Sequence, residues 1–365
     1  LVGNEGSQLA GEFVSTVRGR VRLPAHDIDH PLDLFHRNVR EVPDASAIDA
    51  ADGTWTYREL HREAVAFAVR LESLGARAGD AVAIALPRSG VSVVAHVAMA
   101  ELGAIVVPVA LDDPADRTDH ILASSGAVFV VSDHELSDRL PWAAPIGRHS
   151  ADDVDGPEVV RRPVEHDRFC ILFTSGSTGT PKGVEATTAG MLNQVVWSLD
   201  HFAIGRADRL LLKAPSTFDA ALWELWTALS AGALLVVLAD GEHRDGAAIL
   251  ERVRAARVTV CHLVPTMLRQ MLEHSSAFPE TLRVVLIGGE ALPGALLDDF
   301  RRACNAPLVN MYGPTEASVQ VSWWVADAAR GAILIGNPID NCVLTVLDDD
   351  LRPVPIGGEG QLAIG

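Results

Sequence analysis

The chain has 365 residues, with 30 Lys and Arg against 48 Asp and Glu, for a formal net charge of −18. Hydrophobic residues make up 48% of it, enough for a large packed core spread over about two to three structural units, which excludes a disordered acidic tail. The negative balance argues against nucleic acid and against an anionic membrane as partners, while a local nest of amides remains able to hold a phosphate.

In chain order, residues 1–24 show little hydrophobic periodicity and read as a leader or linker. From His36 onward, apolar runs alternate with helical patterns. Segment 81–86 (AVAIAL) predicts a buried strand, 93–101 a helix, and 105–109 and 128–131 further strands. The long apolar run 91–111 contains His96, Glu101 and Pro108, so it reads as a buried helix and strand and not as a membrane span. Strands follow at 170–173, 210–212, 234–238, 258–261, 284–287 and 308–310. Helices are predicted between them at 221–230, 247–254 and 293–301. Unbroken apolar strands alternating with helices predict an α/β fold of mostly parallel sheets covered on both faces. The tail differs: 342–347, 351–355 and 361–364 read as three strands joined by turns, an antiparallel meander or barrel piece.

Four cysteines occur without a C-x-x-C pair, which predicts reduced thiols in a cytoplasmic setting and argues against a zinc site. The chain opens on Leu1 with no signal segment and reads as excised from something longer. Only two of the basic residues are lysines, Lys182 and Lys213, and both merit close reading.

Three clusters sit at the carboxyl ends of predicted strands, where ligands gather in open α/β sheets. The first, 173–183 (FTSGSTGTPKG), combines glycines that let amides approach a polyanion, hydroxyl donors and a closing Lys182. It is not a Walker A loop, because Gly183 follows the lysine and the glycine spacing differs. The second is 310–316 (NMYGPTE). Here Tyr312 can stack on a base, Asn310 can hydrogen-bond one, Thr315 can reach a phosphate and Glu316 can hold Mg²⁺. The third is 287–291 (IGGEA), whose glycine pair allows a flat ring against the backbone. Asp219 stands alone in a half-apolar segment and reads either as a helix N-cap or as the partner of a buried cation.

In this order these segments resemble the adenylate-forming enzymes, and most closely the adenylation domains of nonribosomal peptide synthetases. The phosphate loop 174–183 and the YGPTE motif at 312–316 carry the resemblance to the whole family. Segments 56–60 (TYREL), 213–220 (KAPSTFDA) running into Leu222-Trp223-Glu224, and 358–365 (GEGQLAIG) resemble the peptide-synthetase branch. The resemblance implies a core of two packed αβ subdomains over 25–330 and a partial β-barrel over 331–365. It also implies a C-terminal lid to which no segment here corresponds.

The resemblance further implies ATP and Mg²⁺, an α-amino acid substrate, and transfer of the acyl group to a carrier-protein phosphopantetheine thiol, with a small helper protein as a further partner. Catalytic roles fall on Thr174, Lys182, Thr315 and Glu316, with Glu316 on the metal. The nucleotide set is Thr174, Ser175, Gly176, Ser177, Thr178, Gly179, Lys182, Gly289, Glu290, Ala291, Asn310, Tyr312, Gly313 and Thr315. The substrate set is Phe218, Asp219, Ala220, Trp223, His262, Leu286, Gly288, Met311, Val319 and Gln320. Within it Asp219 pairs with the α-ammonium, and His262 and Gln320 read either as polar contacts or as satisfied core residues. The mixture resembles serine- and threonine-type pockets with spare room at Ala220, so a polar side chain is expected. The alternatives are an acyl- or aryl-CoA ligase of the same fold, which has no use for the Asp219 charge, and a non-catalytic nucleotide-binding module.

Overall fold

The alternation of buried side chains assigns the strands to layers. Along the strand Arg209–Leu212, Leu210 and Leu212 enter one apolar core and Leu211 enters another. Along Ala81–Ala85, Val82 and Ile84 join that same first core while Ala81, Ala83 and Ala85 face a third. Both sheets are therefore covered on both faces, as their unbroken apolar strands require. The computed structural model describes residues 8–9, 12–13, 15–22, 28–133, 142–143, 168–175, 181–326 and 332–365.

A six-stranded sheet runs Pro181–Thr187, Arg168–Ser175, Ile105–Pro108, Ala81–Ala85, Phe129–Ser132, Trp142–Ala143, parallel except for the first pair. A nine-stranded sheet runs Asn337–Pro338, Ser322–Val325, Leu308–Tyr312, Val284–Ile287, Val260–Leu263, Arg209–Leu212, Leu234–Val237, Ser46–Ala50, Gly53–Thr56. Its centre is parallel and its edges antiparallel. Helices Pro31–Glu41, Tyr57–Ser73, Gly90–Leu102, Thr188–His201 and Asp219–Ala231 fill the first core between the sheets. Helices Gly246–Ala255, Pro265–His274 and Gly294–Ala303 cover the outer face of the larger sheet, and Ala115–Ser125 covers that of the smaller. Among the described residues no helix is long and apolar enough to cross a membrane, and all four cysteines are free.

The Thr56–Leu60 segment is structural. Thr56 Oγ1 accepts from the Glu59 amide (3.2 Å) and the Glu59 carboxylate accepts from the Thr56 amide (2.8 Å), a capping box that starts the helix Tyr57–Ser73. The Tyr57 hydroxyl then donates to Ala233 O (2.8 Å), tying this helix to the end of Asp219–Ala231.

Two expectations need correction. The tail strands Val343–Leu347 and Gln361–Ile364 pair directly, but 351–355 forms no continuous strand: Pro353 and Pro355 make isolated bridges, and the Val354 amide donates to Val346 O (3.0 Å). Pro353 and Pro355 have no N–H to donate, and Leu351 turns the chain at φ +60°. The third strand is Thr16–Arg18, inside the segment read as a leader, which pairs with Val343–Leu347. Among the described residues these strands form a three-stranded antiparallel sheet. The predicted strand 258–261 also lies two residues later, at Val260–Leu263, which brings His262 into the sheet.

Candidate nucleotide and amino-acid site

The strands that flank the glycine-rich segment, Arg168–Ser175 and Pro181–Thr187, pair antiparallel. The first strand runs on to Ser175 instead of ending at Phe173, because Thr174 pairs with Lys182 and Ser175 with Pro181. Lys182 is exposed, and among the described residues no ion pair holds it. Gly176, Ser177, Thr178, Gly179 and Thr180 lie outside the described residues.

The strand Leu308–Tyr312 delivers the second cluster. Tyr312 ends it 38% exposed, its ring open to a stacking partner. The Asn310 side chain is buried, and its Nδ2 donates to Leu334 O (2.7 Å), so its amino group serves the fold. Gly313 is required by close approach: a Cβ there would lie 2.5 Å from Val319 O and from Gln320 Cα. Thr315 and Glu316 stand on a single 3₁₀ turn, Thr315–Ala317, with Glu316 exposed. The chain then folds back through Ser318 (φ +59°) and Val319 (φ +76°), and the Gln320 amide donates to Ser318 O at 3.0 Å. That is a γ-turn centred on a β-branched residue at positive φ, a strained geometry of the kind that clusters at functional sites.

At the third cluster, a Cβ on Gly288 would come within 2.7 Å of Met311 O, so the glycine lets two neighbouring strands pack closely. Gly289, Glu290 and Ala291 follow, exposed. The Glu290 carboxylate accepts from the Thr266 amide (3.1 Å) and hydroxyl (2.6 Å), in the first turn of Pro265–His274. It satisfies a helix start in addition to any contact with a ligand.

Asp219 opens the helix Asp219–Ala231, but the N-cap residue is Phe218 and no side chain caps this end, so the N-cap reading fails. The Asp219 carboxyl instead meets the 3₁₀ turn of the second cluster. Burial raises its pKa above the usual 3.8, and the Thr315 hydroxyl and the Ala220 and Asp219 amides pull it back. The nearby Glu316 carboxylate raises it further, and no cation stands among the groups acting on it. Two carboxylates thus converge on one spot at a helix N-terminus, where the dipole favours negative charge.

Trp223, Leu286, Met311 and Val319 are all buried and belong to the first core. The Trp223 indole donates to Ser198 Oγ (2.9 Å). His262 packs edge-on against Trp223, with ring centroids 5.9 Å apart. Burial, reinforced by Lys213, holds its pKa well below 6.5, so the ring is neutral, and its Nδ1 is buried without a hydrogen-bond partner. Gln320 accepts from Gln194 Nε2 (2.9 Å), a residue that the sequence reading missed. Ala220 is half-buried. Phe218 is 61% exposed and stands apart from the buried set, because the extended N-cap position directs it away from the helix.

The reading also missed what supports this helix. Lys213 Nζ pairs with Glu224 (3.1 Å) with both side chains buried, and Glu224 Oε2 accepts the Lys213 and Ala214 amides, each at 2.9 Å. Arg88 donates to Lys213 O (2.7 Å), Ala214 O (3.2 Å), Leu238 O (2.8 Å) and Ala239 O (3.1 Å), which joins the end of a smaller-sheet strand to the ends of two larger-sheet strands. The available signal was the scarcity of lysine.

The chain matches the AMP-binding enzyme family over residues 35–365. It belongs to that family. Enterobactin synthase component F of Shigella flexneri is 33% identical over 387 residues, covering 99% of this chain and 29% of that protein. The chain thus spans less than a third of this relative's length. A four-domain nonribosomal peptide synthetase solved with AMP and glycine superposes with a TM-score of 0.83 at 25% identity, over 96% of this chain and 26% of that one. The N-terminal subdomain of Klebsiella oxytoca NpsA, solved with 3-hydroxybenzoyl-AMSN, gives 0.81 at 25% identity, over 92% and 87%.

Proposed function

We propose that this chain is the core of an amino-acid-activating adenylation domain. The observation that carries the proposal is the convergence of Asp219 with Thr315 and Glu316: an acid with a raised pKa and no cation beside it, next to the turn that would hold the nucleotide. An α-ammonium group supplies the missing charge. An acyl or aryl acid does not, which favours the amino-acid reading over the CoA-ligase alternative.

In the reaction, a carboxylate oxygen of the amino acid bonds to the α-phosphorus of ATP, the bond from that phosphorus to the bridging oxygen breaks, and pyrophosphate leaves. The products are an aminoacyl adenylate and pyrophosphate. The barrier is the approach of two anions, so positive potential and alignment dominate. Lys182 and the glycine-rich segment from Thr174 and Ser175 through Gly176, Ser177, Thr178 and Gly179 would hold the phosphates. Tyr312 would stack on adenine, with Asn310, Gly313 and the Gly289-Glu290-Ala291 backbone around the ring. Glu316, an exposed carboxylate beside a hydroxyl, fits a hard cation that keeps several waters, and Mg²⁺ bound there would neutralise phosphate charge. Asp219 fixes the amino end, so the carboxylate points at the phosphorus. The lone His262 Nδ1, backed by Trp223, supports a polar, uncharged substrate side chain. A carrier-protein thiol would then receive the acyl group.

Calorimetry with a non-hydrolysable aminoacyl adenylate and its des-amino counterpart tests the proposal. The amino compound should bind at least about a hundredfold more tightly, the size expected for a buried ion pair. Equal affinities would return the chain to the CoA-ligase reading, and no binding of either would favour a non-catalytic module.

A further inference from the structure

Away from the cleft, three helices bring two imidazoles and a carboxylate together. His36 lies on Pro31–Glu41, His61 on Tyr57–Ser73 and Glu101 on Gly90–Leu102. His36 Nε2 is 2.7 Å and His61 Nε2 3.5 Å from Glu101 Oε1, and one donor atom from each residue lies within 4.8 Å of the others. The His36 and Glu101 side chains are 7% and 1% exposed. The second carboxylate oxygen, Glu101 Oε2, is buried without a hydrogen-bond partner. Glu101 also sits in the last turn of its helix, where the dipole disfavours an anion. A buried acid with one oxygen unengaged thus stands in the last turn of its helix, faced by two imidazoles.

We propose that His36, His61 and Glu101 form a structural binding site for Zn²⁺. Two imidazole nitrogens and one carboxylate suit a late transition ion better than Mg²⁺ or Ca²⁺, which take oxygen ligands. Zinc bonds of about 2.0–2.2 Å put tetrahedral donors about 3.3–3.6 Å apart, the spacing already present between His61 and Glu101. The shorter His36–Glu101 contact is the hydrogen bond that the ion replaces. There His36 Nε2 gives up its hydrogen, which is regained at Nδ1 or, from an imidazolium, released to solvent. Water or Glu101 Oε2 completes the shell. His61, 21% exposed, leaves an entry path. The missing cysteine pairs argued against a zinc site, but they do not bear on a cluster of two imidazoles and a carboxylate. The three helices all pack in the first core, so the ion would clasp them, and this inference is independent of the reading of the cleft.

The test strips the whole chain with a chelator, then titrates it with ZnCl₂ by calorimetry and with CoCl₂ by visible absorption. One equivalent should bind, Co²⁺ should show intense tetrahedral bands, and saturating Zn²⁺ should raise Tm by about 2–5 °C. His61→Asn should weaken binding at least about tenfold and abolish the zinc-dependent rise in Tm while the stripped variant still folds. Glu101→Gln should do the same to binding, and if it does not fold, the partly exposed His61 decides the matter. Binding below one equivalent, affinity unchanged in His61→Asn, or a Tm indifferent to zinc would each overturn the proposal.

Discussion

Two carboxylates five residues apart on one helix lead opposite lives. Glu224 is sealed in the core with Lys213 against it and two backbone amides on its other oxygen. Asp219 sits half-buried at the helix start with hydroxyl and amide partners, a second carboxylate nearby and no cation acting on it. The first acid has a cation beside it and two amide donors from the chain itself, so it is architecture. The second is held at a cost, and such costs persist where a ligand repays them. Local composition does not separate the two; the partners do.

The harshest way to break this contrast is to remove the charge from the satisfied acid. Glu224→Gln leaves Lys213 buried and unpaired, and should destabilise the protein by about 3–5 kcal/mol in urea unfolding. A loss under about 1 kcal/mol would mean that the pair is not sealed. Next, Asp219→Asn should lower amino-acid affinity by about a hundredfold or more in calorimetry and leave nucleotide affinity alone. An unchanged amino-acid affinity would erase the distinction between the two acids. Tyr312→Ala should weaken an ATP analogue by about 1–3 kcal/mol and spare the amino acid, whereas equal losses would count against stacking.

The smallest effect sharpens the comparison through pH. Because folding raises the Asp219 pKa above 3.8, its contribution to stability is fully present below 3.8 and is lost as pH rises through the raised value. Asp219→Asn should therefore melt slightly higher than the parent at neutral pH, and the gain should vanish below 3.8. Asp208 has the opposite sign. Arg283 (2.6 and 2.8 Å) and Thr259 (2.7 Å) hold its carboxylate, with the Gly205 amide, and against the upward push of burial they lower its pKa. Its stabilisation is present above 3.8 and is lost as pH falls, so Asp208→Asn should melt lower at neutral pH. Parallel melting curves for the two variants would contradict both assignments.

Much of this was legible in the chain. Buried strands announce themselves as apolar runs, so 81–86 and 284–287 could be read directly. Two properties resisted. Side-chain partners distant in sequence leave no period: Arg88 reaches acceptors 125 and 150 residues away, and His36 meets Glu101 across 65. Prolines at 353 and 355 disqualified a strand that the hydrophobic pattern favoured, while Thr16–Arg18, too short to show alternation, supplied the replacement. The strand 181–187 was missed for a similar reason: a charged, glycine-containing arm pairs at a sheet edge, where apolar patterning is not required.

The Arg88 guanidinium has a practical consequence. Four carbonyls, two from each of two crossover connections, share one flat, rigid fork, and a lysine's single ammonium has no way to match that geometry. Anyone grafting a foreign recognition segment around 213–239 into this scaffold, to redirect what it accepts, must carry the acceptor carbonyls in register with residue 88. A transplant that shifts that register would lose the contacts that tie the two sheets together at residue 88.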